Sequence, residues 1–116
     1  MQIKQIMEYL NAEVVCGEAN LETEVHSAFG ADMMSDVLAF VKDQSVLLTG
    51  LTNPQVIRTA EMVDMKCIVF VRGKQPDHTM IDLAIKKGIV LLKTTLRMYP
   101  ACGILYMNGL EAGGTV

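Results

Sequence analysis

The sequence has no tryptophan, only three phenylalanines and three tyrosines in 116 residues, and 20% charged residues. Its apolar runs are as short as strands, so no segment has the length that a membrane-spanning helix needs. The net charge is −3, and lysines and arginines are scattered singly, which leaves no basic stripe for a phosphate backbone. We therefore expect neither a membrane nor a nucleic-acid partner.

Cysteine is also scarce, and Cys16, Cys67 and Cys102 are widely spaced in apolar surroundings. No CxxC motif or Cys/His pair indicates a metal site, and nothing suggests a cofactor. The amino-terminal MQIKQI lacks the apolar core of a signal peptide and predicts the start of a helix. We expect free, buried thiols without a structural disulfide, in a cytoplasmic protein.

The usual catalytic motifs are missing as well. The sequence contains no GxGxxG, GxxxxGK[ST] or GxSxG, the motifs of dinucleotide-binding, phosphate-binding and hydrolase sites. His26 and Ser27 are not a catalytic dyad, because neighbours on a strand point to opposite faces. We identify no catalytic residue.

Apolar residues, in contrast, are abundant at 51%. This content and the length predict one domain over residues 1–116, with a frayed tail over 111–116. Core packing is the simplest expectation for most methionines of the group Met33, Met34, Met62, Met65 and Met80. The surplus leaves room for an apolar patch that is buried against a second subunit.

Short apolar segments alternate with amphipathic ones along the chain. The segments predicted as strands are residues 13–17, 24–29, 45–49, 67–71 and 89–92. Helices are predicted at the amino terminus, after Asp32 and Asn53 as caps, from Asp77 to the Lys86–Lys87 pair, and from near Tyr99. This alternation is typical of an α/β fold, a three-layer sandwich with a mostly parallel sheet and helices on both faces.

In such sheets, ligands bind outside the carboxyl ends of the strands. Several loops on that edge lead into helices, whose free N–H groups attract anions, and other loops add cations. The candidate ligand-binding residues are Asp32, Thr49, Gly50, Thr52, Asn53, Arg72, Lys74, Lys93, Thr94 and Thr95, with His26 as a strand residue. They suit a phosphate or carboxylate. The simpler alternative is that Asn53 only caps its helix and Arg72 is solvated.

Four segments between Val25 and Gly109 carry a family resemblance: GADMMSDVLAF (30–40), LLTGLTNPQVIRTA (47–60), IVFVRGK (68–74) and ACGILY (101–106). With these segments the sequence resembles the DRTGG domain family, specifically stand-alone bacterial members of this length. The literal Asp-Arg-Thr-Gly-Gly string is absent, so no role tied to those residues is carried over.

The resemblance implies a fold similar to the amino-terminal domains of HPr kinase/phosphorylase and of the Mur ligases, with a mixed sheet. Segments 13–17 and 24–29 would then belong to the sheet without being parallel to the rest. Such domains occur beside CBS pairs in regulatory pyrophosphatases and within phosphotransacetylases, where they regulate or mediate subunit contacts. HPr kinase activity is not implied, because the phosphate-binding loop of that enzyme belongs to another domain.

Three hypotheses follow for the function. The first is a non-catalytic regulatory module that senses a nucleotide or another phosphate-bearing ligand, and the second is an architectural module that dimerises or docks onto a partner enzyme without a ligand. The third is an enzyme of unrecognised chemistry, which a deep pocket gathering His26, Asp32 and Lys93 would support.

We predict a homodimer, because a two-fold interface is the commonest way to bury surplus apolar surface. Sedimentation equilibrium should give about twice the chain mass of 12.7 kDa. A monomer at high micromolar concentration would contradict the prediction.

Overall fold

The five strands of the protein form one sheet in the order β1-β5-β4-β3-β2. A computed structural model describes residues 1–41 and 44–113. The strands are Glu13–Cys16 (β1), Ser27–Gly30 (β2), Ser45–Thr49 (β3), Cys67–Phe70 (β4) and Val90–Lys93 (β5). Strands β2 to β5 are parallel, and β1 is antiparallel to β5 with a bulge between Val14 and Cys16. The mostly parallel sheet is confirmed.

Helices cover both faces of this sheet. They are Ile3–Tyr9 (α1), Met34–Phe40 (α2), Pro54–Met62 (α3), His78–Lys87 (α4) and Met98–Met107 (α5). Side chains alternate across the strands, so Val46 and Leu48 pack with α1 and α5, whereas Leu47 packs with α2, α3 and α4. Because two apolar layers flank the sheet, the three-layer sandwich is confirmed.

Local sequence signals explain where two of the helices begin and end. The side chain of Asn53 accepts from the N–H of Gln55 at 2.8 Å, directly before Pro54, and Asp77 accepts from the N–H of Met80 at 2.9 Å. Helix α4 ends at Gly88 with φ 69°, which suits a residue without a Cβ. The predicted caps of α3 and α4 are confirmed.

The segment before α2 corrects three predictions. Strand β2 begins at Ser27 rather than residue 24, and it is parallel to β3 with Ser27 opposite Ser45. The expectation that neither early strand is parallel to the rest is right for β1 and wrong for β2, because α2 carries the chain back along the sheet between β2 and β3. Asp32 does not cap α2, whose first flanking residue is Met33.

The carboxyl-terminal part of the chain packs on the sheet and reaches β2. Helix α5 begins at Met98, and Pro100 fits in its first turn because N–H groups there have no partner within the helix. The N–H of Ala28 donates to the carbonyl of Glu111 at 3.1 Å, and Ala28 also pairs with Ala112. Residues 111 and 112 of the predicted tail therefore contact β2, and residues 114–116 lie outside the described part of the chain.

Sulfur-containing residues divide between the core and the surface. Met65 and Met80 are buried, whereas Met33 and Met62 are exposed, so the core-packing expectation fails for the latter two. The cysteines are free thiols, and burial raises the pKa of each, most strongly for the fully buried Cys67. The thiols are therefore protonated at neutral pH. Within the described residues, no helix has the length and apolar character needed to cross a membrane.

Gly17 generates a stability prediction. It has φ 93°, and a Cβ there would lie 2.9 Å from Cα of Val90, whereas Gly88 has φ 69° with open space around it. Gly88→Ala should lower the free energy of unfolding by only about 1–2 kcal/mol, which is the cost of an L-residue in the left-handed region. Gly17→Ala should lower the free energy of unfolding further, because its methyl group overlaps backbone. Urea unfolding of both variants measures this, and equal losses would contradict the predicted clash.

Candidate functional site

The loops after β2 and β3 meet at the carboxyl edge of the sheet through the side chain of Asp32. Its Oδ1 accepts from the backbone N–H of Gly50 at 2.7 Å and from the hydroxyl of Thr49 at 3.1 Å. The Thr49 hydroxyl also accepts from the N–H of Leu51 at 3.1 Å. The edge thus holds a carboxylate with a backbone donor and a hydroxyl donor.

The loop after β4 brings Arg72 to the same place. Its φ of 60° is left-handed, and its N–H donates to the carbonyl of Leu96 at 2.7 Å. The guanidinium reaches across Gly50, and Nη2 lies 3.9 Å from Oδ2 of Asp32. A Cβ at Gly50 would overlap this guanidinium, so only glycine permits the arrangement. Predicted candidates from three separate loops are therefore in one cluster: Asp32, Thr49, Gly50 and Arg72, called the Asp32 cluster below.

Exposure distinguishes the charged members of the Asp32 cluster from the others. The side chains of Arg72 and Asp32 are 47% and 51% exposed, whereas Thr49 and Gly50 are buried. Because water screens a half-exposed pair at this distance, the attraction between the two charges is worth at most about 1 kcal/mol. The ion pair is therefore a weak link, and the hydrogen bonds from Gly50 and Thr49 hold the carboxylate.

A second part of the edge lies at the ends of β5 and β1. A cavity of about 170 Å³ is lined by Asn11, Glu13, Gly73, Lys93, Thr94 and Thr95. Lys93 Nζ contacts Gln75 Oε1 at 2.7 Å and Glu13 Oε2 at 3.6 Å. Thr94 is buried and donates to the carbonyl of Leu10 at 2.9 Å, so its hydroxyl has a structural partner. Of the predicted residues that line this cavity, Lys93 is partly exposed and Thr95 is exposed, so their polar groups are accessible to a ligand.

The remaining predicted residues lie apart. Thr52 and Lys74 are exposed on the edge, while the Asn53 side chain is engaged as the cap of α3. His26 is exposed directly before β2, at the amino ends of the parallel strands, whereas Asp32 lies at their carboxyl ends. The strand length of β2 separates the two residues, so His26, Asp32 and Lys93 do not gather in one pocket. Among the described residues, no three His, Cys, Asp or Glu side chains are grouped to hold a metal.

The structure also contains a cavity that the sequence reasoning missed. It measures about 410 Å³ at the amino edge, between residues 15–20 and helix α4, and Ile81, Ile85 and Ile89 form much of its wall. Ile85 is 60% exposed there. Ile85, an apolar residue directly before the Lys86–Lys87 pair of α4, was the available signal in the sequence. Cys16 also lines this cavity, and its Sγ lies 3.8 Å from the carbonyl of Ile89.

Comparisons with known proteins agree with this architecture. The family model of the DRTGG domain matches residues 5–105. A similar solved structure is that of the CBS and DRTGG domains of the regulatory region of Clostridium perfringens pyrophosphatase, complexed with its activator diadenosine tetraphosphate. The TM-score is 0.71 at 17% identity, over 90% of this chain and 45% of that one, so this chain spans less than half of that structure.

No curated protein sequence matches significantly. The family match extends from α1 into α5 and thus includes all five strands, together with the Asp32 cluster. It agrees with the resemblance seen in the sequence. The chain belongs to the DRTGG domain family.

Proposed function

We propose that this chain is a non-catalytic regulatory module of the cytoplasm, active as a homodimer, that senses a small phosphate-bearing ligand at the Asp32 cluster. One observation carries the proposal. The cluster already holds an oxyanion, the Asp32 carboxylate, with a backbone N–H, a hydroxyl and a guanidinium around it. These groups are also the ones that bind phosphate in proteins.

A phosphate has advantages over the carboxylate in this position. It carries more charge than Asp32 and can accept two parallel hydrogen bonds from Arg72, whose guanidinium is now 3.9 Å from its partner. Asp32 is half-exposed, so its carboxylate can return to water without the penalty of burying an unpaired charge. In this mechanism the ligand displaces Asp32 from Gly50 and changes how the β2 loop is held.

The cavity beside Lys93 extends the proposed site. Gly73 follows Arg72 directly and lines this cavity, so the cavity adjoins the loop that carries Arg72. Its volume of about 170 Å³ is smaller than the roughly 300 Å³ of an ordinary small-molecule pocket. It would hold a phosphate or a sugar, while a nucleotide base would lie on the surface.

The solved structure of the pyrophosphatase regulatory region guides the choice of ligand. That region was crystallised with diadenosine tetraphosphate, an activator made of adenosines and phosphates. Adenine nucleotides are accordingly the first ligands to test on this chain, with inorganic phosphate as the minimal probe.

A second candidate function is an architectural module that dimerises or docks onto a partner enzyme without a ligand. The exposed side of α5 favours it, because Tyr99 and Met107 are 89% and 84% exposed on a helix without a charged residue. The two functions differ in whether the carboxyl edge binds a small molecule at all.

Two substitutions test the ligand site. Arg72→Ala should weaken binding of diadenosine tetraphosphate or ATP by about tenfold or more, because a charge-assisted hydrogen bond is lost. Asp32→Asn should strengthen binding, because it keeps the shape of the side chain and removes the competing negative charge. Lys86→Ala, an exposed cation on α4, is the matched control and should bind normally. Isothermal titration calorimetry measures the dissociation constant of the ligand for the wild-type protein and for each of the three variants.

The possible failures are distinct. If a nucleotide binds and Arg72→Ala, Lys74→Ala and their double variant all bind it normally, the placement of the site is wrong. If neither nucleotides nor inorganic phosphate bind the wild-type protein, the ligand-sensing function is wrong and the architectural one remains.

A further inference from the structure

Helix α5 is apolar on all sides although only one side of it is covered. Its ten residues, MYPACGILYM, include no charged side chain. Ala101 and Leu105 are buried against the sheet, whereas Tyr99, Tyr106 and Met107 are 89%, 64% and 84% exposed. A helix that is apolar all round is normally buried all round, so this outer face lacks its second cover.

The outer face has a specific shape. At about 100° per residue, Gly103 lies at its centre, with Tyr99 and Met107 one turn away on either side. A Cβ added at Gly103 would meet nothing within 4 Å, so the centre of the face is open. Tyr106 and Pro100 complete the face. Within the described part of the chain, the outer face therefore has a shallow depression at Gly103, flanked by projecting side chains.

We propose that the outer face of α5 is the surface on which two copies of this chain pair, with the two α5 helices antiparallel and crossing at Gly103. This proposal rests on the homodimer of the proposed function and assigns it a surface. A two-fold axis through Gly103 places Tyr99 opposite the partner subunit's Met107, and Tyr106 opposite the partner's Pro100. Aromatic–sulfur and aromatic–proline contacts are both favourable pairings for such side chains.

Charge explains why the partner is a second copy. A two-fold interface brings a surface against itself, so any charge near its centre meets the same charge. The outer face of α5 carries none. At its ends, Arg97 precedes the helix and the exposed Glu111 follows it. The antiparallel arrangement directs Arg97 towards the carboxyl end of the partner's α5, where free carbonyls and the partner's Glu111 supply negative charge.

The exposed side chains of the face supply a large part of the area that a dimer needs. Two tyrosines of about 150–250 Å² each, together with Met107, contribute roughly half of the about 800 Å² that each partner buries in a standard interface. Another exposed apolar group of the described chain, at α2 and α3, is less suited to self-pairing. There Met33, Leu38 and Met62 are interspersed with the exposed charges of Asp36 and Glu61, which a two-fold axis would bring near each other.

Sedimentation equilibrium of the full chain tests the proposal. Tyr99→Glu and Tyr106→Glu should each raise the dissociation constant of the dimer by about tenfold or more, because each replaces an aromatic contact with a charge that the apolar interface would have to bury. Met62→Glu is the matched control, since it adds the same charge at a residue that is 70% exposed on α3, and it should leave the dimer unchanged. Circular dichroism should show that all three variants keep the fold, because the replaced side chains project into solvent.

A cross-link tests the crossing point separately. In a Cys102→Ala background, Gly103→Cys should form a disulfide-linked dimer under mild oxidation, because helices 8–10 Å apart that cross at this residue bring two cysteines into bonding range. Met62→Cys in the same background should remain uncross-linked.

The results separate the two proposals. A wild-type chain that is monomeric at high micromolar concentration overturns both the homodimer and this surface. A dimer that tolerates both tyrosine substitutions but dissociates with Met62→Glu keeps the homodimer and overturns the assignment to α5. A dimer that Tyr99→Glu dissociates, with a cross-link at position 103, supports the proposal.

Discussion

The complete burial of the central strands is the constraint on which the rest of this structure depends. Every residue of β3 and β4 is buried, and their side chains point into two separate apolar clusters. A parallel sheet of this kind is stable only with helices on both faces. The connections through α2, α3 and α4 join parallel strands, and the loops after β2, β3 and β4 therefore lie at one edge. The Asp32 cluster lies at this edge because the helices that cover the sheet connect its parallel strands.

At that edge, tertiary contacts between polar groups connect the loops after β2, β3 and β4. Gly50 gives the Arg72 guanidinium room to cross the β3 loop, and its N–H donates to Asp32. Asp32 in turn connects the β2 loop to the β3 loop, although it lies only just before a helix in the sequence. Any anion that competes for Gly50 and Arg72 must therefore act on the connection between these loops, which is the physical basis of the proposed regulation.

The two faces of the sheet are covered unequally, and this affects α5. Helices α2, α3 and α4 share one face, whereas α1 and α5 cover the other. After β5 the chain crosses back over that face, and residues 111–112 pair with β2 at the far edge. Helix α5 needs an apolar inner side for this task, but its outer side, with Tyr99 and Tyr106, has no such need within one chain. The outer side is therefore where we place the proposed contact between chains.

The helix signals and the buried strands of this protein are local properties, which the amino-acid pattern alone predicts. Apolar runs, the cap at Asn53 and the glycine at position 88 predicted the parallel core and the caps of α3 and α4, because period, capping and backbone freedom depend on near neighbours. The partner of Asp32, the parallel pairing of β2 and the end of the strands at which His26 lies are instead properties of the folded chain. Each depends on which distant segments meet, and the free energy of those contacts comes from the whole core rather than from any local sequence pattern.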